Sequence, residues 1–362
     1  MYIKGVGMTR FGLQQDISSH MIYEATMEAL DDAEMSMDNV DAVVVSSIEL
    51  MSNGERQKHS GSVISSLFQK SLPILSVPAG CAGGGTALWT ANKLHRTSNY
   101  TNILVVGFDK IMANTSKKVT DEIAMGGERI YEQSEGLIFP AQNALVAQQY
   151  MLRYGATTDD FALVAYKNHQ NAYMNPKAPV VASPLRVFDC SISCNGAAAL
   201  VLSKEDADIE VVGSAEENDY LSPFEREDMT SFWATRKAAE IAYKEAGISP
   251  NQINIAELHD AFTPLELISY EDLGFCKQGG GPKIIKEGVT KLDGKLPVNT
   301  SGGLKAKGHP ISPTGISQIY EIVKQMREGC GKRQIKKPGY GLALNIGGAG
   351  STATVHILKN LN

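Results

Sequence analysis

Along these 362 residues, apolar β-rich runs alternate with stretches of helical periodicity, and that alternation most restricts the possible folds. Strands joined through crossover helices pair in parallel within an α/β architecture. The predicted strands of the first half cover 2–6, 42–46, 74–77 and 103–107, with helices over 19–33 and 85–94 between them. The second half repeats the scheme. It has a strand over 209–213, a helix over 231–246 closed by Gly247 and Pro250, a strand over 253–258 and a helix over 263–273. Residues 190–202 and 345–358 both set small residues before an apolar strand, so the halves also end alike. We therefore expect an internal duplication, divided into 1–205 and 206–362. From 109 to about 188 the sequence turns polar and irregular, with short helical pieces such as 141–153. That segment reads as a loop or lid insertion carried by the first half.

Bulk properties remove several function classes. A net charge of −6 supplies no footprint for nucleic acid or an anionic membrane. No apolar run reaches spanning length, and residues 1–7 read as a first strand rather than a signal peptide. Five cysteines at irregular spacing describe no disulfide framework. Cys190 and Cys194 lack the second ligand pair of a structural zinc site, so no metal is expected. A reducing cytoplasm suits such a chain.

The chemistry concentrates in four places. Cys81 lies in Ser76-Val-Pro-Ala-Gly-Cys81-Ala-Gly-Gly-Gly, a glycine turn between a strand and a helix. Unpaired N–H groups and the helix dipole at such a start favour a thiolate. A small buried hydrophobe is the ordinary alternative for a free cysteine. His259, in Glu257-Leu-His259-Asp-Ala-Phe262, occupies the matching strand-to-helix junction of the second half. His309 sits in the glycine-rich run Asn299-Thr-Ser-Gly-Gly303-Leu-Lys-Ala-Lys-Gly-His309-Pro, which feeds a helix over 314–327. Asn345-Ile-Gly347-Gly-Ala-Gly350 is a glycine turn between two strands, suited to backbone N–H donation. His20, His59, His95, His169 and His356 read as ordinary structural or surface residues. Together the four places offer a thiol nucleophile, an imidazole to deprotonate it, and oxyanion donors.

In these motifs (His-Asp-Ala-Phe, Asn-Thr-Ser-Gly-Gly, and Gly-His-Pro followed by Thr-Gly) the chain resembles the thiolase superfamily, in its sterol-carrier-protein-type and archaeal branch. The resemblance covers nearly the whole length. It implies a five-layer αβαβα fold of two related halves, a homodimer or dimer of dimers, and acyl transfer from coenzyme A thioesters with no bound cofactor. By the same resemblance, Cys81 is the acylated nucleophile and His309 its base. His259 and His309 hold the thioester oxygen of the enolate-forming acetyl group, and the N–H groups of Cys81 and Gly347 form a second oxyanion hole. The chain departs from the family at Asn345, where many thiolases carry a second, acid/base cysteine. Ala261 stands where some sterol-carrier-type members supply one, and Cys276 lies beyond the following helix. Asparagine shuttles no proton, so either His259, the best candidate, or another group serves, or the condensing step is lost. The implied activity is acetyl-CoA C-acetyltransferase of the mevalonate pathway. Alternatives are a degradative 3-ketoacyl-CoA thiolase, another acyltransferase, or a non-catalytic scaffold. The implied partners are a small OB-fold/zinc-ribbon protein and a hydroxymethylglutaryl-CoA synthase.

Overall fold

The computed structural model describes residues 1–13, 16–48, 55, 57, 59–97, 99–111, 116–175 and 190–362. Among these, nine strands form one sheet: β1 (Tyr2–Met8), β2 (Ala42–Ser46), β3 (Ile74–Ser76), β4 (Asn102–Asp109), β5 (Gly196–Ser203), β6 (Ile209–Asn218), β7 (Ile255–Glu257), β8 (Tyr340–Gly347) and β9 (Thr352–Asn360). Their order is β3-β2-β4-β5-β1-β6-β9-β8-β7. The join at the centre is slight, since β1 meets β6 only at Tyr2↔Glu210 and Ile3↔Ile209. Outward from that join the pattern repeats. β1 and β5 are antiparallel, as are β5 and β4, and β4 then runs parallel to β2. On the other flank β6–β9 and β9–β8 are antiparallel, and β8 runs parallel to β7. β3 adds a further parallel strand to β2, and a single parallel bridge, Ala256↔Val298, takes the corresponding place beside β7.

The sheet is thus mixed, where the alternation of elements predicts parallel pairing. The reason lies in the connections. β8 passes to β9 through a link of a few residues that reverses the chain, and β1 runs against both β5 and β6.

The helices among the described residues are α1 (Ser18–Asp32), α2 (Ser60–Phe68), α3 (Gly83–Thr97), α4 (Ser116–Ala124), α5 (Phe139–Tyr154), α6 (Thr158–Tyr173), α7 (Trp233–Ala246), α8 (Thr263–Asp272), α9 (Gly281–Lys286), α10 (Gly303–Lys307) and α11 (Thr314–Met326). α1 covers β1, β4 and β5 from outside, and α7 covers β6 and β9. α3 and α11 pack on each other and touch strands of both half-sheets, forming the middle layer of an αβαβα arrangement. Burial follows these positions. α1 hides one face (Met21, Ile22, Ala25, Ala29, Leu30), whereas nearly every residue of α11 is buried. None of these helices is long and apolar enough to cross a membrane.

The starts of α3 and α11 meet without side chains between them. A Cβ on Gly315 would lie 2.3 Å from the Gly85 nitrogen and 2.4 Å from Asn345 Oδ1. A Cβ on Gly84 would lie 2.6 Å from the Ser312 carbonyl oxygen. Glycine is required here for close approach.

The stretch expected to be irregular holds two 16-residue helices, α5 and α6. Residues 112–115 and 176–189 of that stretch lie outside the described residues. α6 gives only a weak periodicity signal because its buried face is half polar, with Asp160, Lys167, Asn168 and Asn171 beside Phe161, Val164, Ala165 and Ala172. Asn168 Nδ2 donates to Asp260 Oδ2 and Glu266 Oε2, both at 2.7 Å, and Asn171 Nδ2 donates to the Asn299 carbonyl at 3.0 Å. These hydrogen bonds let polar side chains take part of the place of an apolar stripe.

Gly315→Ala should destabilise the protein by about 1–3 kcal/mol, the usual cost of forcing a methyl into a closed core contact. Urea unfolding reads this as a lowered midpoint. An unchanged midpoint would show that the helix starts separate without cost.

Candidate active site

Cys81 sits in the turn Gly80–Ala82, immediately before α3. β3 delivers the chain to that turn, and Val77 N–H still donates to the Val45 carbonyl at 2.9 Å, which anchors the approach. Beside the turn, Gly347 closes β8. A Cβ there would stand 3.1 Å from Ala82 Cβ and 3.3 Å from the Ala82 nitrogen, so the two backbones are in direct contact.

His259 follows β7 and is buried. Its strand end is held from below by the 299–303 loop. Asn299, in the left-handed region at φ 54°, accepts Leu258 N–H on Oδ1 at 2.7 Å and donates from Nδ2 to Glu266 Oε2 at 2.7 Å. The Glu257 carboxylate accepts Ser301 N–H at 3.0 Å, and Asp260 accepts Leu304 N–H at 2.6 Å. His309 follows Gly308, whose φ of +105° only glycine adopts readily; a Cβ there would also lie 2.7 Å from Cys194 Sγ. The His309 backbone N–H donates to the Ile192 carbonyl at 2.9 Å, and its Nδ1 pairs with Thr314 Oγ1 at 2.7 Å.

Asn345, on β8, joins the parts. Its Nδ2 lies 2.8 Å from the Cys81 carbonyl oxygen and 3.1 Å from His259 Nδ1, and its Oδ1 lies 3.1 Å from the Gly85 nitrogen. The His259 and His309 rings stand edge to face, 5.2 Å between centroids. Cys81, His259, His309, Gly347 and Asn345 therefore share one location.

The electrostatics differ from the sequence expectation. Cys81 keeps partial solvent contact, yet the protein packed around it pushes the thiol up to about 12, with the Asp109 carboxylate acting in the same direction. The helix start was expected to favour a thiolate, but desolvation and a nearby acid outweigh it. Burial lowers His309 to about 3, and burial together with His309 holds His259 well below the ordinary imidazole value. At neutral pH the site holds a thiol and two uncharged imidazoles.

Two contributors carried no motif. Asp109, at the end of β4, accepts Ser312 N–H at 2.6 Å and Ile48 N–H at 2.9 Å, tying the 309–315 loop to the first half. Burial raises it to about 6. An acidic residue closing the otherwise apolar run 103–108 was the available signal. Cys81 also packs against the small apolar cluster of Ile111, Val119 and Ile311, which Ile48 and Ile123 flank as well; Val119 and Ile123 come from α4. His95 and His356 are buried against backbone, bonding the Leu202 and Gly85 carbonyls at 3.1 and 3.0 Å, and Cys276 packs beside the core of the second half.

The family described as "Thiolase, N-terminal domain" matches residues 1–185, and "Thiolase C-terminal domain-like" matches 215–360. The chain belongs to the thiolase family. This thiolase is 36% identical to the acetyl-CoA acetyltransferase of Methanothermobacter thermautotrophicus, with 98% of each chain covered. It is 34% identical to the enzyme of the same name from Methanocaldococcus jannaschii, covering 99% of this chain and 98% of that one. Human sterol carrier protein 2 is 30% identical over 96% of this chain and 70% of its own length. Among solved structures, the Ltp2-ChsH2(DUF35) aldolase superposes with a TM-score of 0.84 at 24% identity, covering 99% of this chain and 97% of that one. Human mitochondrial 3-ketoacyl-CoA thiolase gives 0.74 at 15%, covering 100% and 98%. The thiolase is accordingly an acyltransferase enzyme.

Because its thiol is held protonated, Cys81 should be alkylated by iodoacetamide at a rate that climbs about tenfold per pH unit from 7 to 10. Mass spectrometry of the Cys81 peptide follows it. A plateau below pH 8 would mean a stabilised thiolate instead.

Proposed function

We propose that this thiolase is an acetyl-CoA C-acetyltransferase, joining two acetyl-CoA molecules into acetoacetyl-CoA or running the reverse thiolysis. The observation that carries the reading is the meeting of one thiol from the first half with two neutral imidazoles from the second. Cys81 is the nucleophile. His309 takes the Sγ proton as sulfur attacks the thioester carbonyl, and the bond from carbon to the coenzyme A sulfur breaks. The imidazolium returns its proton to the departing thiolate, leaving acetyl-Cys81 and a neutral ring. Backbone N–H groups of Cys81 and Gly347 face the acyl oxygen, and His259, joined by His309 once that ring has taken a proton, holds the thioester oxygen of the second acetyl group. Coenzyme A enters as substrate, and these side chains carry the chemistry without a resident cofactor.

The apolar cluster of Ile111, Val119 and Ile311 beside Cys81, flanked by Ile48 and Ile123, suits a small apolar acyl group. Residues 1–205 and 206–362 act as two halves, each supplying reactive groups. A homodimer fits the edge of the sheet, where β3 pairs only with β2 among the described residues and Leu75 is exposed. A cytoplasmic enzyme feeding the mevalonate pathway is the matching context. Assembly with an OB-fold/zinc-ribbon protein draws support from the structural neighbour that is itself a complex with a DUF35 protein.

Acetyl-CoA should transfer its acetyl group to Cys81, seen as acetylation of that peptide, and Cys81→Ala should abolish turnover with the fold retained by circular dichroism. Acetylation of another cysteine, with Cys81→Ala still active, would overturn the reading.

His309→Ala should slow acylation by about 10²–10⁴-fold, the usual worth of general-base assistance. The sign of the pH dependence follows from burial. A base lowered to about 3 stays unprotonated well below the ordinary imidazole range, so acylation should be flat from pH 5 to 8. Rapid-quench rates that fall tenfold per unit below pH 6.5 would contradict a buried neutral base.

A further inference from the structure

We propose that Asn345 is a positioning residue that locks His259 as its Nε2–H tautomer, so that His259 serves as a hydrogen-bond donor and His309 carries the protons. The inference rests on the acyl-transfer reading above for its mechanistic half and on hydrogen-bond logic for its structural half.

The two ends of the Asn345 carboxamide are identified by their partners. The Gly85 backbone N–H only donates, so the atom 3.1 Å from it is the acceptor, Oδ1. The Cys81 carbonyl only accepts, so the atom 2.8 Å from it is the donor, Nδ2. The amide thus spans two backbone groups one helical turn apart at the start of α3, and neither bond survives a flip. Nδ2 has a second hydrogen, and His259 Nδ1 lies 3.1 Å away. A donor facing Nδ1 requires a lone pair there, which leaves the ring hydrogen on Nε2. Asn345 and His259 are 1% and 2% exposed, so bulk water offers no competing partner. His309 has the opposite arrangement. Its Nδ1 faces Thr314 Oγ1 at 2.7 Å, and that hydroxyl has the Pro310 carbonyl at 3.4 Å to receive its own hydrogen. The Thr314 oxygen then accepts Nδ1–H, and the lone pair sits on Nε2.

The two rings therefore divide the work, and the expectation that His259 carries the α-carbon proton is revised. After acylation His309 is neutral again. It takes one α-proton from the second acetyl-CoA, while His259 Nε2–H stabilises the enolate oxygen. The enolate carbon attacks the acetyl-Cys81 carbonyl, the carbon–Sγ bond breaks, and Cys81 thiolate recovers the proton from His309. No oxidant or further reactant is needed.

The test uses the full chain labelled with ¹⁵N-histidine and long-range ¹H–¹⁵N correlation at pH 7, with the His259 signals assigned by their loss in His259→Asn. The expected pattern is a protonated Nε2 and a bare Nδ1. In Asn345→Asp the introduced carboxylate accepts from Nδ1, so the tautomer should invert. Acetoacetyl-CoA formation should then fall about 10²-fold or more, the usual effect of losing one oxyanion donor, while Cys81 acetylation falls less. A hydrogen on Nδ1 in the unsubstituted protein overturns the proposal, whether or not the variant folds. So does a tautomer that stays the same in both Asn345→Asp and Asn345→Ala. If the tautomer is as expected but Cys81 is never acetylated, the acyl-transfer reading fails and the Asn345 assignment stands.

Discussion

Where α3 and α11 begin, two helix starts touch through glycine backbone inside the layer between the half-sheets, and the site is assembled around that contact. Gly315 approaches Gly85 and Asn345 too closely for any side chain. Each helix start carries the residues that precede it: the Cys81 turn before α3, and the His309 loop before α11. Helix packing normally separates axes by about 8–10 Å. Glycine at the crossing lets the two loops converge, and a thiol from one half meets imidazoles from the other. The layer is buried on both sides, so this geometry is held by the same packing that stabilises the fold.

Burial also sets the charge state. A cysteine at a helix start with a cationic neighbour becomes a thiolate; here the titratable neighbours are two imidazoles held neutral and the Asp109 carboxylate. The thiol is raised to about 12, His309 is lowered to about 3, and Asp109 is raised to about 6. A resting ion pair would have to be desolvated on both sides, which is expensive in a closed site. A neutral pair separates charge only as the thioester is attacked, where the fixed N–H groups receive it.

The long excursion between β4 and β5 contributes by clamping. α6 reaches the histidine-bearing loops through Asn168 on Asp260 and Glu266, Asn171 on the Asn299 carbonyl, and Lys167 bonded to Glu266 and to the Val298 carbonyl. Breaking one such buried bond leaves its partner unsatisfied, at about 1–3 kcal/mol. The segment that looks least structured in sequence thus fixes the floor on which His259 stands, and its α4 supplies Val119 to the apolar cluster against which Cys81 packs.

Local chemistry made the rest legible. Val-Val-Val at 43–45 and Ile-Leu-Val-Val at 103–106 form strands because buried β-branched and apolar residues suit nothing else so well, and Gly247 closes α7 because it adopts the left-handed cap at φ 66°. Cys81, His259 and His309 stood out because glycine turns and strand ends hold reactive groups without needing them for packing. The sense of strand pairing, the buried polar contacts of α6 and the role of Asn345 left no such mark. Each depends on partners far along the chain, as Asn345 does on Cys81 and Gly85, some 260 residues away. A sequence states which groups a residue offers for hydrogen bonding; only the folded chain decides which groups it meets, and at Asn345 those partners set the side of the His259 ring that bears the hydrogen.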